Sequence, residues 1–353
     1  MVDYAEGRYR TTAEMLETLF GKKSRGRAGM LRYDAVAWLK MQEGLAATRA
    51  RRLAGIDERG DEDVVQALLR RLTRAQRADG SFEGSVMKTA GILNLLDDLR
   101  ATQAEELTQR GASHLLTVLE AQPGYERGRK IGHHGLVNEC DLCGFFGPYE
   151  ERNRPDVLAL GAREMNFYRE YEPLLGPKAP VRSSRRSSLD RVGPGSCYAW
   201  GLIPLAYTIE AVCRAGRAMD KRLKPAMNVL LAAQRKSGGW CRGAGGHPSC
   251  SIHGLRALGA HPELRRSEYA LEALTFMRRT LKGRDRKMAA WWRGSRLFAL
   301  MQAMPAFGLP VAREIVRDAL SETGRRQKKD GSFGGPCAVE RVAAVLVAAR
   351  TVE

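Results

Sequence analysis

The sequence predicts an all-α protein: an α/α toroid, in which about six helical hairpins close into a double ring. Three observations carry this. A phrase recurs, made of an apolar helix ending in Gln, a short polar turn with Gly, and an aromatic residue before the next helix: Gln76 to Gly80 and Phe82, Gln234 to Gly239 and Trp240, Gln327 to Gly331 and Phe333. The phrase has a period. Gln76 and Gln122 are 46 residues apart, Gln234, Leu281 and Gln327 follow at nearly the same step, and a weaker break follows Tyr171. Every second helix is also apolar nearly all round, as in Ala338 to Ala349, which marks a helix buried on most sides. An open solenoid would show an amphipathic stripe on both helices of each pair.

Residues 1–60 depart from the repeat. Thr11 to Leu19 and Met30 to Leu53 read as helices, the second carrying the cluster Arg49, Arg51 and Arg52, and this segment either closes the ring or packs on it. Residues 61–353 form the ring domain. It opens on Asp61-Glu62-Asp63, acids at a helix start where the dipole favours them, and continues as an outer helix over Asp63 to Arg77 and an inner helix over Val86 to Leu99. The last hairpin pairs an outer helix over Leu309 to Arg326 with an inner one over Cys337 to Arg350. Residues 173–196, rich in Pro, Ser and Arg and without periodicity, read as a long loop, a type of segment that commonly carries function. In each turn Gln braces the helix end and the aromatic pins the turn, a structural duty.

Composition narrows the classes. No apolar run of about 18 residues and no charged-apolar leader is evident, so the reading is a cytoplasmic protein without a membrane span. Seven Cys in 353 residues without a leader predict reduced thiols and no disulfide framework. The formal net charge of +18 suits an acidic partner such as nucleic acid, but 45 of the 58 basic residues are Arg, spread over nearly every outer helix. A binding stripe needs clustering, and no nucleic-acid-binding motif accompanies them.

The cysteines carry a sharper signal. Cys140-Asp-Leu-Cys143 has the spacing with which two thiolates hold one tetrahedral metal, and Cys250-Ser-Ile-His253 is a Cys-x2-His pair of the same reach. Cys197 and Cys337 precede other inner helices, while Cys213 and Cys241 read as core. These positions predict a zinc site built from Cys140, Cys143, Cys197, Cys250 and His253. Tyr198, Trp200, Trp291, Trp292 and Phe298 fall at or near inner helices, where they would line an apolar ligand. Arg284, Arg286 and Arg293 form a basic mouth beside the two tryptophans, suited to a diphosphate on an apolar tail or to a nucleobase with its phosphate.

The Gln234-to-Trp240 phrase, with its copies at Gln76 and Gln327, resembles the repeat of the terpenoid cyclase and protein prenyltransferase toroids, and the resemblance covers the chain from about residue 60 onward. Gly195-Ser196-Cys197-Tyr198 resembles the prenyltransferase segment in which a zinc-binding Cys precedes a diphosphate-contacting Tyr. That resemblance implies Cys197 as a ligand and Tyr198 as a phosphate contact. The family places an Asp ligand two residues before its Cys, where this chain has Gly195, and Pro248 stands in the same relation to Cys250, so zinc needs another ligand set. The Asp-x-Asp-Asp acid of the cyclases is missing, which argues against protonation-driven cyclisation. Trp240-Cys241-Arg-Gly243 is similar to an element of the lanthionine cyclases, zinc enzymes acting on peptides, but their Cys-His-Gly element is missing.

The expected function is therefore a toroid enzyme of prenyltransferase-like kind, a zinc-containing transferase acting on an isoprenoid diphosphate or similar apolar-anionic substrate through Tyr198, Trp200, Arg286, Trp291, Trp292 and Arg293. The alternative is a basic toroid that binds nucleic acid or another acidic partner without catalysis.

Overall fold

The computed structural model describes residues 31–121, 202–240, 248–283, 292, 296–334 and 337–352. Among them the chain forms twelve α-helices and no β-strand. In order they are α1 (Ala35–Lys40), α2 (Gly44–Leu53), α3 (Asp61–Ala75), α4 (Val86–Asp98), α5 (Glu105–Ala121), α6 (Leu202–Val212), α7 (Lys224–Ala232), α8 (Pro248–Ala260), α9 (Glu268–Lys282), α10 (Arg296–Ala303), α11 (Pro310–Gly324) and α12 (Ala338–Ala349). The chain is all-α, as the sequence predicts.

Packing sorts the helices into two kinds. The even-numbered helices touch in cyclic order: α2 packs on α4, α4 on α6, α6 on α8, α8 on α10, α10 on α12, and α12 back on α2. The odd-numbered helices lie outside them, with α9 against α11 and α5 against α7. The outer α3 is amphipathic, burying Val65, Leu68, Leu69 and Leu72, while α12 buries eight of its twelve residues. Residues 31–53 take a full place in this order, since α2 sits between α12 and α4 and α1 touches α12. The single helix expected over Met30 to Leu53 is instead two, parted at residues 41–43. Gly44 has φ 85°, a left-handed value that no helix interior accommodates, and the Asp34 carboxylate caps α1 by accepting from the Ala37 amide at 2.9 Å.

The repeated turn explains how one hairpin reaches the next. Gln76 Nε2 donates to the carbonyl of Gly80 in its own turn at 3.0 Å and to that of Leu107 on α5 at 2.9 Å. Gln234 does the same to Gly238 and to Tyr269 on α9, both at 2.9 Å. Gln327 donates to Gly331 and to Tyr33, while its Oε1 accepts from the Arg32 and Tyr33 amides at 2.7 and 3.1 Å. Each turn thus clasps the outer helix of the following hairpin, and the last clasps the entry to the first. The turn glycines are there for this contact. Gly80, Gly238 and Gly331 have φ of 85°, 89° and 93°, and a Cβ would fall 2.1–2.4 Å from the carbonyl oxygens of Arg110, Glu272 and Asp34. The aromatics pin the turns: Phe82 and Trp240 are fully buried, and the Trp240 indole donates to Leu230 O at 2.8 Å. A Cβ on Gly254 would meet the Trp240 ring at 2.8 Å, so the His253-Gly254 pair has a packing reason for its glycine.

The expected helix over Thr11 to Leu19, the break after Tyr171 and the loop at 173–196 lie outside the described residues. The long stretch 122–201 falls between the outer α5 and its inner partner α6, and residues 241–247 likewise fall between α7 and α8.

A candidate interior site

A chain of buried charges crosses four of the inner helices. Arg49 on α2 donates from Nε to Asp98 Oδ2 at 2.7 Å at the end of α4. Arg214, just after α6, pairs with Asp98 as well, and its Nε reaches Asp97 Oδ2 at 2.6 Å. Glu210 on α6 accepts at Oε1 from Arg256 on α8 at 2.9 and 3.1 Å, with Arg214 at 3.5 Å. Arg49, Asp98, Glu210 and Arg256 are buried or nearly so. A five-residue π-turn over Cys213–Arg217, passing through Gly216 at φ 78°, places Arg214 beside the α4 carboxylates; such turns bend a helix locally and often serve a site.

The charges balance, and their neighbours set their protonation. Burial alone would raise the Asp98 carboxyl, but Arg214 and Arg49 outweigh it and hold it at about 2. Against the cost of burial, Asp98, Asp97 and Glu210 lift the Arg214 guanidinium well above its ordinary value. Burial pushes the Tyr207 phenol up as well, so that it remains a hydroxyl. The His253 ring stands edge-on to Tyr207 with centroids 6.5 Å apart. Asn94 on α4 lies beside the Tyr207 hydroxyl, close enough to influence its ionisation, yet neither atom of its amide makes a hydrogen bond of adequate geometry.

Part of the Arg cluster read at 49–52 serves a second internal network. The Asp61 carboxylate is 3% exposed; it accepts from Thr48 Oγ1 at 2.9 Å and Arg51 Nε at 3.0 Å, while Glu62 pairs with Arg52 at 2.8 Å. The acids opening α3 therefore answer charges on α2 in addition to favouring the helix dipole.

Of the residues expected to form a site, Cys140, Cys143, Cys197, Tyr198, Trp200, Arg286, Trp291 and Arg293 lie outside the described residues, as do Cys241 and Arg284. Trp292 is buried, and its indole donates to Thr280 O at 3.2 Å. Cys250 and His253 stand one turn apart on α8, both buried, and Cys250 is not in a disulfide. No group of three His, Cys, Asp or Glu positioned for a metal occurs among the described residues. Cys213 is core, as expected: burial, then Glu210, pushes its thiol up to about 12, which keeps it unreactive. The expectation of wholly reduced thiols fails at Cys337, which is disulfide-bonded. No described helix is long and apolar enough to cross a membrane.

A separate feature joins α10 and α12. The Phe298 and Phe333 rings are 5.6 Å apart between centroids, and the Arg341 guanidinium lies 5.5 Å from the Phe298 centroid. Arg341 Nη1 donates to Gly334 O at 2.8 Å, while its Nε has no partner.

Sequence reasoning missed Asn94, Tyr207, Glu210, Arg214 and Arg256, and gave Asp98 no part in a site. A signal existed. Gly91, Asn94 and Asp98 on α4 and Tyr207, Glu210 and Arg214 at the end of α6 share the spacing i, i+3, i+7, which aligns them on one side of a helix. His253 and Arg256 repeat its first step.

No protein-family model matches the chain, and no curated protein matches it. Among solved structures, a protein from Actinoplanes is similar over 91% of this chain and 90% of that one, at 17% identity and a TM-score of 0.45.

Proposed function

We propose that the chain is a toroid enzyme acting on a substrate with an apolar body and an anionic head, an isoprenoid diphosphate or a chemically similar molecule. The observation that carries this is the Arg341–Phe298–Phe333 group. A guanidinium resting on an aromatic ring, with one donor uncommitted and a second ring beside it, offers an anion a charge and an apolar chain a wall. The cyclic order of the inner helices and the turns that link successive outer helices support the toroid half of the proposal. The interior charge chain does not serve the anion, because each of its arginines already faces a carboxylate.

The test is a farnesyl diphosphate titration by calorimetry. The wild-type chain should bind, binding should require both the diphosphate and the tail, and Arg341→Ala should weaken it roughly tenfold or more, as the loss of a charge-assisted contact does. Binding unchanged in a folded Arg341→Ala chain removes the observation on which the proposal stands.

Zinc is part of the proposal. Cys250 and His253 would supply a thiolate and an imidazole, completed by Cys140, Cys143 or Cys197, and the ion would activate a thiolate or a water. Elemental analysis of protein purified without a polyhistidine tag should find one zinc per chain, lost in Cys143→Ser. Zinc-free protein of full stability would leave these cysteines as packing residues.

One observation favours a second reading. Arg70, Arg71 and Arg74 are exposed along the end of α3 and form no ion pair among the described residues, whereas Arg278 and Lys282 of α9 pair with Glu314 and Asp318 of α11. A strip of uncompensated arginines suits a phosphate backbone. Oligonucleotide binding that falls steeply with salt, without any response to farnesyl diphosphate, would establish this reading over the first.

A further inference from the structure

α8 ends where Pro262 follows His261, since proline lacks the amide that would continue the helical ladder. The chain then makes a short 3₁₀ turn over Leu264–Arg266 before α9 begins. A turn entered in this way has amides with no helical carbonyl before them, and the His261 ring supplies the acceptor. Its Nδ1 accepts from the Glu263 and Leu264 amides at 3.3 and 3.4 Å. Nε2, the remaining ring nitrogen, donates to the carbonyl of Ala218, just past the π-turn on which α8 packs. The ring is 8% exposed, and its two nitrogens are committed to backbone on opposite sides.

We propose that His261 is an acid-sensitive joint: the neutral ring holds the turn into α9 closed, and a proton on the ring releases it. The reason is the donor count. A neutral imidazole has one acceptor nitrogen, which here serves two amides, whereas the imidazolium has none and would point an N–H at both. The bond to Ala218 survives, because Nε2 donates in either form. Opening is therefore one-sided, with α8 still tied to the π-turn while residues 263–266 part from it. Glu263 on the same turn favours the cation, as does the Ala218 carbonyl, but burial outweighs both and holds the ring below the ordinary histidine value. Among the described residues no other charge acts on the ring. Arg214 and Arg217 of the π-turn face Asp98 and Asp220, Glu210 of α6 is answered by Arg256 and Arg214, and Arg265, Arg266, Glu268 and Arg296 leave its ionisation as it is. With the folded value below an unfolded one of about 6.5, the contribution is fully present above that pH and is lost as pH falls through the folded value. The joint is remote in kind from the Arg341 group and stands whether or not the anionic substrate reading holds.

Asparagine offers an acceptor where Nδ1 stands and does not titrate, which makes His261→Asn the informative variant. Between about pH 7.5 and about pH 5, the melting temperature of the full wild-type chain should fall by at least about 2 °C more than that of His261→Asn. Over the same range, hydrogen exchange corrected for its intrinsic pH dependence should show the amides of residues 263–266 losing protection at least about threefold in wild type and not in the variant. His114→Asn, at a histidine 3.6 Å from Asp79, should leave the wild-type fall unchanged. Should His261→Asn fail to fold, an NMR titration of the wild-type chain decides: the His261 ring should titrate below about 6.5, with the Glu263 and Leu264 amides shifting at the same midpoint. A His261→Asn chain that keeps the whole fall, unchanged protection at 263–266 in acid, or a ring that titrates at or above the ordinary value would each overturn the proposal.

Discussion

Asp98→Ala should be among the most destabilising single changes in the protein, costing about 3–5 kcal/mol. The carboxylate is 2% exposed and stands between two arginines from different helices. Removing it takes from Arg49 the carboxylate it meets at the end of α4 and from Arg214 the more deeply buried of its two aspartates. The readout is a guanidinium denaturation curve whose midpoint falls with little change in slope. The same residue makes stability depend on acid. Its folded pKa of about 2 lies below the ordinary value of an unfolded Asp, near 3.9, so its contribution is fully present above about pH 4 and is lost as pH falls toward 2. Less than two units of difference correspond to about 2 kcal/mol, and Asp98→Asn should flatten that part of the pH profile while lowering stability at neutral pH. A wild-type profile that is level between pH 4 and 2 would show that the two arginines do not hold this carboxyl ionised.

Gly331→Ala should cost more than about 3 kcal/mol, through two effects acting together. The residue has φ 93°, where any Cβ is strained, and the added carbon would lie 2.4 Å from the Asp34 carbonyl oxygen. That carbonyl has little freedom to retreat, since Gln327 holds the adjoining backbone through Arg32 and Tyr33. Gly44→Ala supplies the control. Its φ of 85° carries the same backbone strain, but nothing lies within 4 Å of the new carbon, and it should cost about 1 kcal/mol. If the two substitutions lower the melting temperature equally, the contact between the last turn and the first helix contributes nothing.

The hairpin pattern is legible in the sequence because its cause is local. A Gln that reaches its own turn, a glycine at positive φ and an aromatic that fills the hairpin all recur within a dozen residues, so they can be read without knowing what they touch. The place of α1 and α2 is not legible in this way. α1 has six residues, too few to display a period, and its membership depends on a partner almost the whole chain away. The interior charges were hidden for a related reason. Arg49, Asp98 and Arg214 make sense only as a set, and they come from segments 49 and 116 residues apart. Asp98 by itself looks like any acid at a helix end. Arg and Trp were expected together at a mouth near residues 284–293, whereas the described example pairs Arg with Phe and is assembled from α10, α12 and the turn at 333.

The clasp of Gln327 on Tyr33 also bears on how the protein comes to be made. This contact joins residues 294 positions apart, and closing a loop of that length costs about 5 kcal/mol of chain entropy. A ribosome delivers the first helix long before the last turn, so α1 and α2 wait without their α12 neighbour through most of synthesis, their apolar faces uncovered. Completion is thus a late event in which the turn after α11 meets the entry to α1, and among the described residues each inner helix then touches another on either side.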